Sequence, residues 1–321
     1  MKYYLGIDLG GTNIAVGLVD ENYRIVKKGS VPTDASRHPD EIVADMGKLC
    51  LSVVAEYGIG MEDVEACGIA SPGTANGDTG IVEYANNISM LNYPIVEKLR
   101  KHIGLKKIYL DNDANAAALG EALAGSAKGA SSALMITLGT GVGGGIIIDG
   151  KIYSGFNHAG AELGHTVIEK DGRQCSCGRK GCFEAYSSAT GLINMTKEKM
   201  ELDPSSAMWD VCGRDINKVN GRTAFNAVKQ YKDRSASEVC DMYISYLATG
   251  IANMMNIFQP EVISIGGGVS NEGDGLFVPL CKQVYAENYA KNSKRQTKIE
   301  KATLGNDAGI IGAAALGMPR K

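Results

Sequence analysis

The sequence predicts an α/β protein built around a duplicated hairpin, folded either as two domains or as one large unit with a cleft. Three observations carry this reading. The chain has 321 residues, more than one typical hydrophobic core supports. Apolar runs that read as strands alternate along it with segments of helical period. A strand, glycine turn, strand pattern near the start also recurs mid-chain. Placing Leu9 on Leu138 matches Gly10 with Gly139 and Asp20 with Asp149.

The elements follow in order. YYLGID (3–8) reads as a strand, GGT as a turn and IAVGLV (14–19) as a second strand. A helical pattern over about 40–57, a strand EACGIA, the turn SPG, a helix near 94–103 and a strand KIYLD come next. An alanine-rich helix then starts at Asp113, with the acidic start that suits a helix N-terminus. The second copy of the hairpin is ALMITL (133–138), GTGVGGG and IIID. Beyond it, residues 183–200 and 241–258 carry apolar residues at helical spacing, the latter stopping before Pro260. VISI feeds the turn GGGVS, and DAGIIGAAALGM is a small-residue helix able to pack closely. No Pro/Ser-rich tether interrupts the chain, so the domain boundary is expected to be a hinge near residue 115. The expected domains are residues 1–115, completed by the C-terminal helix 306–321, and residues 116–305.

The net charge of −3, with one Trp and five Phe, argues against nucleic-acid or membrane-surface partners and for a small neutral or anionic ligand. The opening MKYYLGIDLGG has no leader pattern and no stretch is apolar for the length of a membrane span, so a cytoplasmic protein is expected. In a reducing compartment its eight cysteines are not expected to form a disulfide framework. Cys50, Cys67, Cys212, Cys240 and Cys281 lie scattered among apolar residues, where burial is the ordinary role. The other three gather in CSCGRKGC, ten residues after His165, as Cys175, Cys177 and Cys182. One imidazole and three thiols suit tetrahedral zinc, and Gly178 and Gly181 let the chain bend enough to converge them. A redox pair is the weaker alternative, because C-x-C closes a strained ring. His38, His102 and His158 have no partner pattern and are expected to serve the surface or packing.

Three glycine turns follow strands: DLGGTN (8–13), LGTGVGGG (138–145) and IGGGVS (265–270). Glycine lets backbone N–H groups approach phosphate oxygens. Any one of them is weak evidence by itself, a tight hairpin turn being the plain alternative; three in one chain, two related by repeat, favour a nucleotide site. Two apparent motifs are decoys. GTGVGG (139–144) matches G-x-G-x-x-G but runs into a strand-like segment instead of a helix. GIIIDGK (145–151) has Ile152 where a P-loop requires Ser or Thr.

The paired glycine hairpins look like the phosphate loops of the sugar kinase, actin and Hsp70 superfamily. More narrowly, DNDANAAALGE (111–121), LGTGVGGGI (138–146), HAGAELGH (158–165) and CSCGRKGCFEAY (175–186) resemble the ROK family of repressors and sugar kinases, its bacterial glucokinases in particular. The match is ordered and spans essentially the whole chain. It implies a duplicated actin-like/hexokinase-like (ribonuclease H-like) fold with two domains around a cleft. The implied activity is ATP-dependent phosphorylation of a hexose at its 6-hydroxyl, most simply glucose. N-acetylglucosamine, N-acetylmannosamine, mannose and fructose are alternative substrates.

The resemblance also implies roles. Asp113 is the general base that takes the hydroxyl proton; the pattern alone leaves it equally readable as a helix cap. Gly73, Asn86, Asn112, Glu162, His165 and Glu184 meet the sugar, although Glu162 and Glu184 read by themselves as ordinary surface carboxylates. Asp8, Gly10, Gly11, Thr12, Asn13, Thr137, Gly139, Thr140 and Gly141 hold the phosphates and hydrated Mg²⁺, and Gly267 and Gly268 lie against the adenosine. Zinc on His165, Cys175, Cys177 and Cys182 fixes the histidine for substrate recognition. A homodimer is implied as well. A sugar-sensing repressor is less expected, because the first hairpin begins at Tyr3 and leaves no room before it for a helix-turn-helix. A chaperone-like or filament-forming ATPase leaves DNDANAAALGE and the cysteines unexplained.

Overall fold

A computed structural model of the chain describes residues 1–85 and 88–319. Strand β1 (Tyr3–Leu9) pairs antiparallel with β2 (Asn13–Asp20), in register from Tyr3 opposite Asp20 to Leu9 opposite Ile14. Most of β1 is buried, and it reads as a near-continuous apolar run, as a strand covered on both faces must. β3 (Ile25–Pro32) pairs with β2 and exposes Lys28, Ser30 and Pro32 in alternation, the mark of an edge. α1 (Pro39–Tyr57) starts where His38 Nδ1 accepts the Asp40 amide and Pro39 occupies a position needing no N–H; Gly58 ends it in the left-handed region (φ 91°).

β4 (Val64–Ser71) lies parallel to β1. β5 (Thr74–Asn76), β6 (Ile81–Ala85) and β7 (Met90–Tyr93) then form a small antiparallel sheet that the sequence reading does not anticipate, since strands of three to five residues show little period. α2 (Ile95–Ile103) leads to β8 (Ile108–Asn112), parallel to β4, and α3 (Asp113–Ala124) begins at the next residue. This sheet has the order β3-β2-β1-β4-β8.

The second copy is β9 (Ala133–Leu138), β10 (Val142–Ile148) and β11 (Lys151–Ile152). Residues 183–200 form two helices instead of one, α4 (Phe183–Ser187) and α5 (Ala189–Leu202). Ser188 breaks them with an extended backbone (ψ 167°), and its Oγ accepts the Gly191 amide as the cap of α5. α6 (Met208–Val211) and α7 (Thr223–Tyr231) follow, then α8 (Arg234–Phe258), which stops at left-handed Gln259 before Pro260. β12 (Val262–Gly266), α9 (Asp274–Glu287), β13 (Lys298–Lys301) and α10 (Asp307–Ala315) complete the fold. α9 carries Pro279 in its interior, which hides it from a pattern reading.

The second large sheet has the order β11-β10-β9-β12-β13 and repeats the first position for position. The antiparallel pair β10/β11 answers β2/β3, and the parallel pair β12/β13 answers β4/β8. The weak sequence repeat is therefore a duplicated topology, as predicted. GTGVGG runs into β10 and not into a helix, so both decoy motifs are hairpin segments.

The chain forms two compact units. The first comprises Met1–Met135, Gly145–Ala161 and Ala302–Lys321, the second Ile136–Gly144 and Glu162–Lys301. Inside the first, α10 packs on β1, β4 and α3 through small residues. A Cβ at Gly6 would lie 1.9 Å from the Ile310 carbonyl oxygen, and one at Gly312 1.7 Å from that of Ala116. Backbones approach closely there only because no side chain intervenes.

Candidate functional site

In the first unit the chemistry gathers at the junction of β8 and α3. Asn112 is the cap of α3: its Oδ1 accepts the amides of Ala114 (2.9 Å) and Asn115 (3.2 Å). Asp113 is thus the first helical residue, half-buried, with its Oδ1 accepting the Ala114 amide at 2.8 Å. Capping falls to its neighbour. Asn112 also donates through Nδ2 to the carbonyl of Gly73 (3.0 Å), a residue at φ 80° where a Cβ would lie 2.0 Å from the Tyr84 carbonyl oxygen. Asp111 ties the junction together by accepting from the Asn112 amide (2.7 Å) and from Asn115 Nδ2 (2.9 Å). Asn86 lies outside the described residues.

Asp8, near the end of β1, stands against Gly309 in the first turn of α10. Burial first, and then the charge of Asp113, push its carboxyl up to about 6. Two neighbouring carboxylates that resist joint ionisation attract a cation. The adjacent glycine turn is closed by Gly10 N–H donating to the Asn13 carbonyl (3.0 Å). It is braced by Thr33, which donates its amide to the Thr12 carbonyl and its hydroxyl to that of Gly10. Gly11, Thr12 and Asn13 are exposed.

In the second unit the matching turn at Gly139–Gly141 is held from three sides. Ala189 N–H donates to the Gly139 carbonyl (2.8 Å), Thr190 Oγ1 donates to that of Thr140 (2.7 Å), and Glu184 Oε2 accepts the Val142 amide (3.0 Å). Thr137 is half-buried at the end of β9. Gly267, at φ 85°, passes so close to β9 that a Cβ would lie 2.4 Å from the Leu138 carbonyl oxygen. Beside these turns is a cavity of about 460 Å³, with Leu138, Ala189 and Val269 as its apolar walls and Thr140, Asn220 and Arg222 as its polar ones; Gly139 and Gly268 also line it. A space of that size with few polar groups is characteristic of small-molecule sites. Sequence reasoning missed Asn220 and Arg222. Their segment has no glycine-turn pattern, and its only signal was the Asn-Gly turn chemistry at 220–221.

The cysteine loop also lies in the second unit. Single ligand atoms of His165, Cys175, Cys177 and Cys182 all fall within 4.8 Å of one another. Cys177 and Cys182 sulfurs stand 3.7 Å apart, as do Cys175 Sγ and His165 Nδ1. Ligands about 2.3 Å from a tetrahedral centre stand about 3.8 Å apart, so the donor set fits zinc. The loop is shaped for convergence: Gly178 and Gly181 adopt φ of 90° and 78°, and a Cβ at Gly181 would lie 1.7 Å from the Glu169 carbonyl oxygen. Burial pushes Cys182 up to about 12, whereas a hydrogen bond from the Arg179 backbone holds Cys177 below the usual thiol range. A bound dication would draw off these protons. Glu162 is exposed and precedes the one-turn helix Leu163–His165, with no side-chain hydrogen bond to its amides.

The remaining histidines take structural places: His38 caps α1, His102 packs on Gly47, and His158 meets Asp78 at 3.2 Å. Cys50, Cys67, Cys212 and Cys240 are buried and Cys281 half-buried. No helix among the described residues is long and apolar enough to cross a membrane.

The ROK family model matches residues 4–319. The chain belongs to the ROK family. A "Glucokinase" of Thermotoga maritima is 37% identical over 314 residues, 97% of this chain and 96% of that one. An "N-acetyl-D-glucosamine kinase" of Aliivibrio fischeri is 31% identical over 98% of both chains. Among solved structures, a ROK family glucokinase from Streptomyces griseus, in complex with glucose and AMPPNP, superposes with a TM-score of 0.81 at 33% identity, covering 98% of each chain. This ROK chain accordingly has the actin-like/hexokinase-like fold that its sequence predicts.

Proposed function

We propose that the protein is an ATP-dependent hexose kinase that converts glucose to glucose 6-phosphate, with Asp113 as general base. The observation that carries this is the placement of Asp113. It is the first residue of α3, where the helix dipole favours a carboxylate, while the capping that would otherwise explain it is done by Asn112. Family membership and relatives bearing the name glucokinase at 34–37% identity support the substrate class.

In this reading the first unit supplies the base, with Gly73 and Asn112, and with Asn86, on the sugar. Asp8 orients hydrated Mg²⁺, and the turn Gly10, Gly11, Thr12 and Asn13 holds phosphate. The second unit supplies Glu162, His165 and Glu184 as sugar ligands. Thr137, Gly139, Thr140 and Gly141 bind phosphate, and Gly267, Gly268 and the cavity beside them take the adenosine. Zinc on His165, Cys175, Cys177 and Cys182 supplies rigidity, fixing the imidazole so that its face toward the sugar is constant. The family resemblance further supports a cytoplasmic homodimer serving glycolysis.

N-acetylglucosamine is the second substrate to weigh, because kinases named for it are 30–31% identical over nearly the whole chain. A panel of glucose, N-acetylglucosamine, N-acetylmannosamine, mannose and fructose with MgATP tests the reading. Glucose should give the highest kcat/KM. Failure to phosphorylate any hexose would refute the kinase, and a higher value for another sugar would refute the specificity.

A further inference from the structure

The two oxygens of Glu184 serve different parts of the second unit. Oε2 accepts the Val142 amide at 3.0 Å, at the end of the second glycine turn. Oε1 accepts the Ser176 hydroxyl at 3.1 Å and lies 3.7 Å from Cys175 Sγ, inside the cysteine loop. The turn is fitted around this carboxylate: any side chain at Gly141 would place its Cβ 2.3 Å from Oε2. One half-buried side chain, early in α4, therefore spans from the metal-ligand loop to the turn proposed to meet phosphate.

We infer that Glu184 is a positioning residue for the second glycine turn, so that zinc binding at the cysteine loop orders the nucleotide's phosphate site as well as the sugar wall. The proposal rests on the kinase reading for the turn's ligand, but not for the mechanical link itself. An ionised carboxylate is a strong acceptor for a backbone N–H, and the loss of such a bond releases the amide. A carboxylate has about four acceptor sites, so holding Val142 and Ser176 leaves capacity for sugar hydroxyls. The two roles do not compete. Ser176 matters here because it can keep its bond to Oε1 once Cys175 is a metal-bound thiolate with no proton to donate. The remaining grips on the turn, from Ala189 and Thr190, begin α5 just after α4, so disorder in the cysteine loop would reach them through the same short segment.

The test is amide hydrogen exchange of the full-length protein, zinc-loaded and chelator-stripped, together with Glu184→Ala and Glu184→Gln. Affinity for a non-hydrolysable ATP analogue is measured in parallel without sugar. Stripping and Glu184→Ala should each speed exchange at residues 139–143 and raise the analogue's Kd about tenfold. Exchange in β12 and α8 should stay at wild-type rates. Glu184→Gln, whose amide oxygen can still accept from Val142, should restore most of the protection. Unchanged exchange at 139–143 with an unchanged analogue Kd in Glu184→Ala would leave Glu184 no positioning role in the turn. Equal acceleration in β12 would make the loop a brace for the whole fold, and either result overturns the proposal. If the wild type binds no ATP analogue, the kinase reading fails, while the exchange arm still decides whether Glu184 positions the turn.

Discussion

Asp8 and Asp113 share one electrostatic environment, in which burial and then the charge of Asp113 push the Asp8 carboxyl from an ordinary value to about 6. Because the folded-state pKa is raised, ionised Asp8 is a cost to the ligand-free fold. The cost is full above pH 6 and disappears as the pH falls through 6 toward 4. Asp8→Asn should therefore stabilise the ligand-free protein at pH 8, by about 3 kcal/mol at most, and have little effect at pH 4. It should also abolish Mg²⁺-dependent transfer. Urea unfolding at the two pH values checks this, and a destabilised variant at pH 8 would contradict it.

Asp113→Asn should lower kcat by about a thousandfold or more, with sugar KM changed only a few-fold, because the amide keeps the shape but cannot take a proton. The same change removes one of the two causes of the Asp8 shift. Carboxyl titration by NMR should find Asp8 closer to its ordinary value in this variant. A variant that retains full phosphorylation would overturn the base assignment.

Arg222 lines the cavity in the second unit, and among the described residues its guanidinium has no ion pair or hydrogen-bond partner. Arg222→Ala should raise KM for ATP about fivefold to tenfold and leave KM for glucose unchanged, since a free guanidinium can stack on a base or meet a phosphate. Steady-state kinetics with each substrate varied in turn checks it; equal changes in both constants would mean the residue acts on the fold.

Glu121, on α3, is 1% exposed and accepts from the amides of Ser126 (2.7 Å) and Leu304 (2.8 Å) and from the Ser126 hydroxyl (2.9 Å). It anchors the segment that leads into α10. Glu121→Ala strands several partly buried donors and should cost about 2 kcal/mol or more in urea unfolding, with Glu121→Gln milder because it keeps one acceptor.

Much of this was legible in the chain. Strands such as 3–8 and 133–138 and the helices from Asp113 and from Asp307 showed in local period and capping chemistry, which depend on neighbours in sequence. The hairpin repeat showed because duplication left glycines at Gly10 and Gly139. Elements whose evidence is non-local did not show: the short sheet of β5, β6 and β7, the helix around Pro279, and the break at Ser188, where a side-chain cap outweighs an apolar pattern.

For the site the division is similar. Residue types and spacing by themselves determined that three thiols and one imidazole could converge, and that three glycine turns could approach phosphate. Only the tertiary structure decided which carboxylates interact. Asp8 and Asp113 are 105 positions apart in sequence, and their mutual repulsion exists only after β1 and β8 join one sheet. Glu184 reads in the sequence as an acidic residue early in a helix. Its two oxygens acquired distinct partners, Val142 and Ser176, because hydrogen bonding acts over about 3 Å and only folding brings the glycine turn and the cysteine loop within that range.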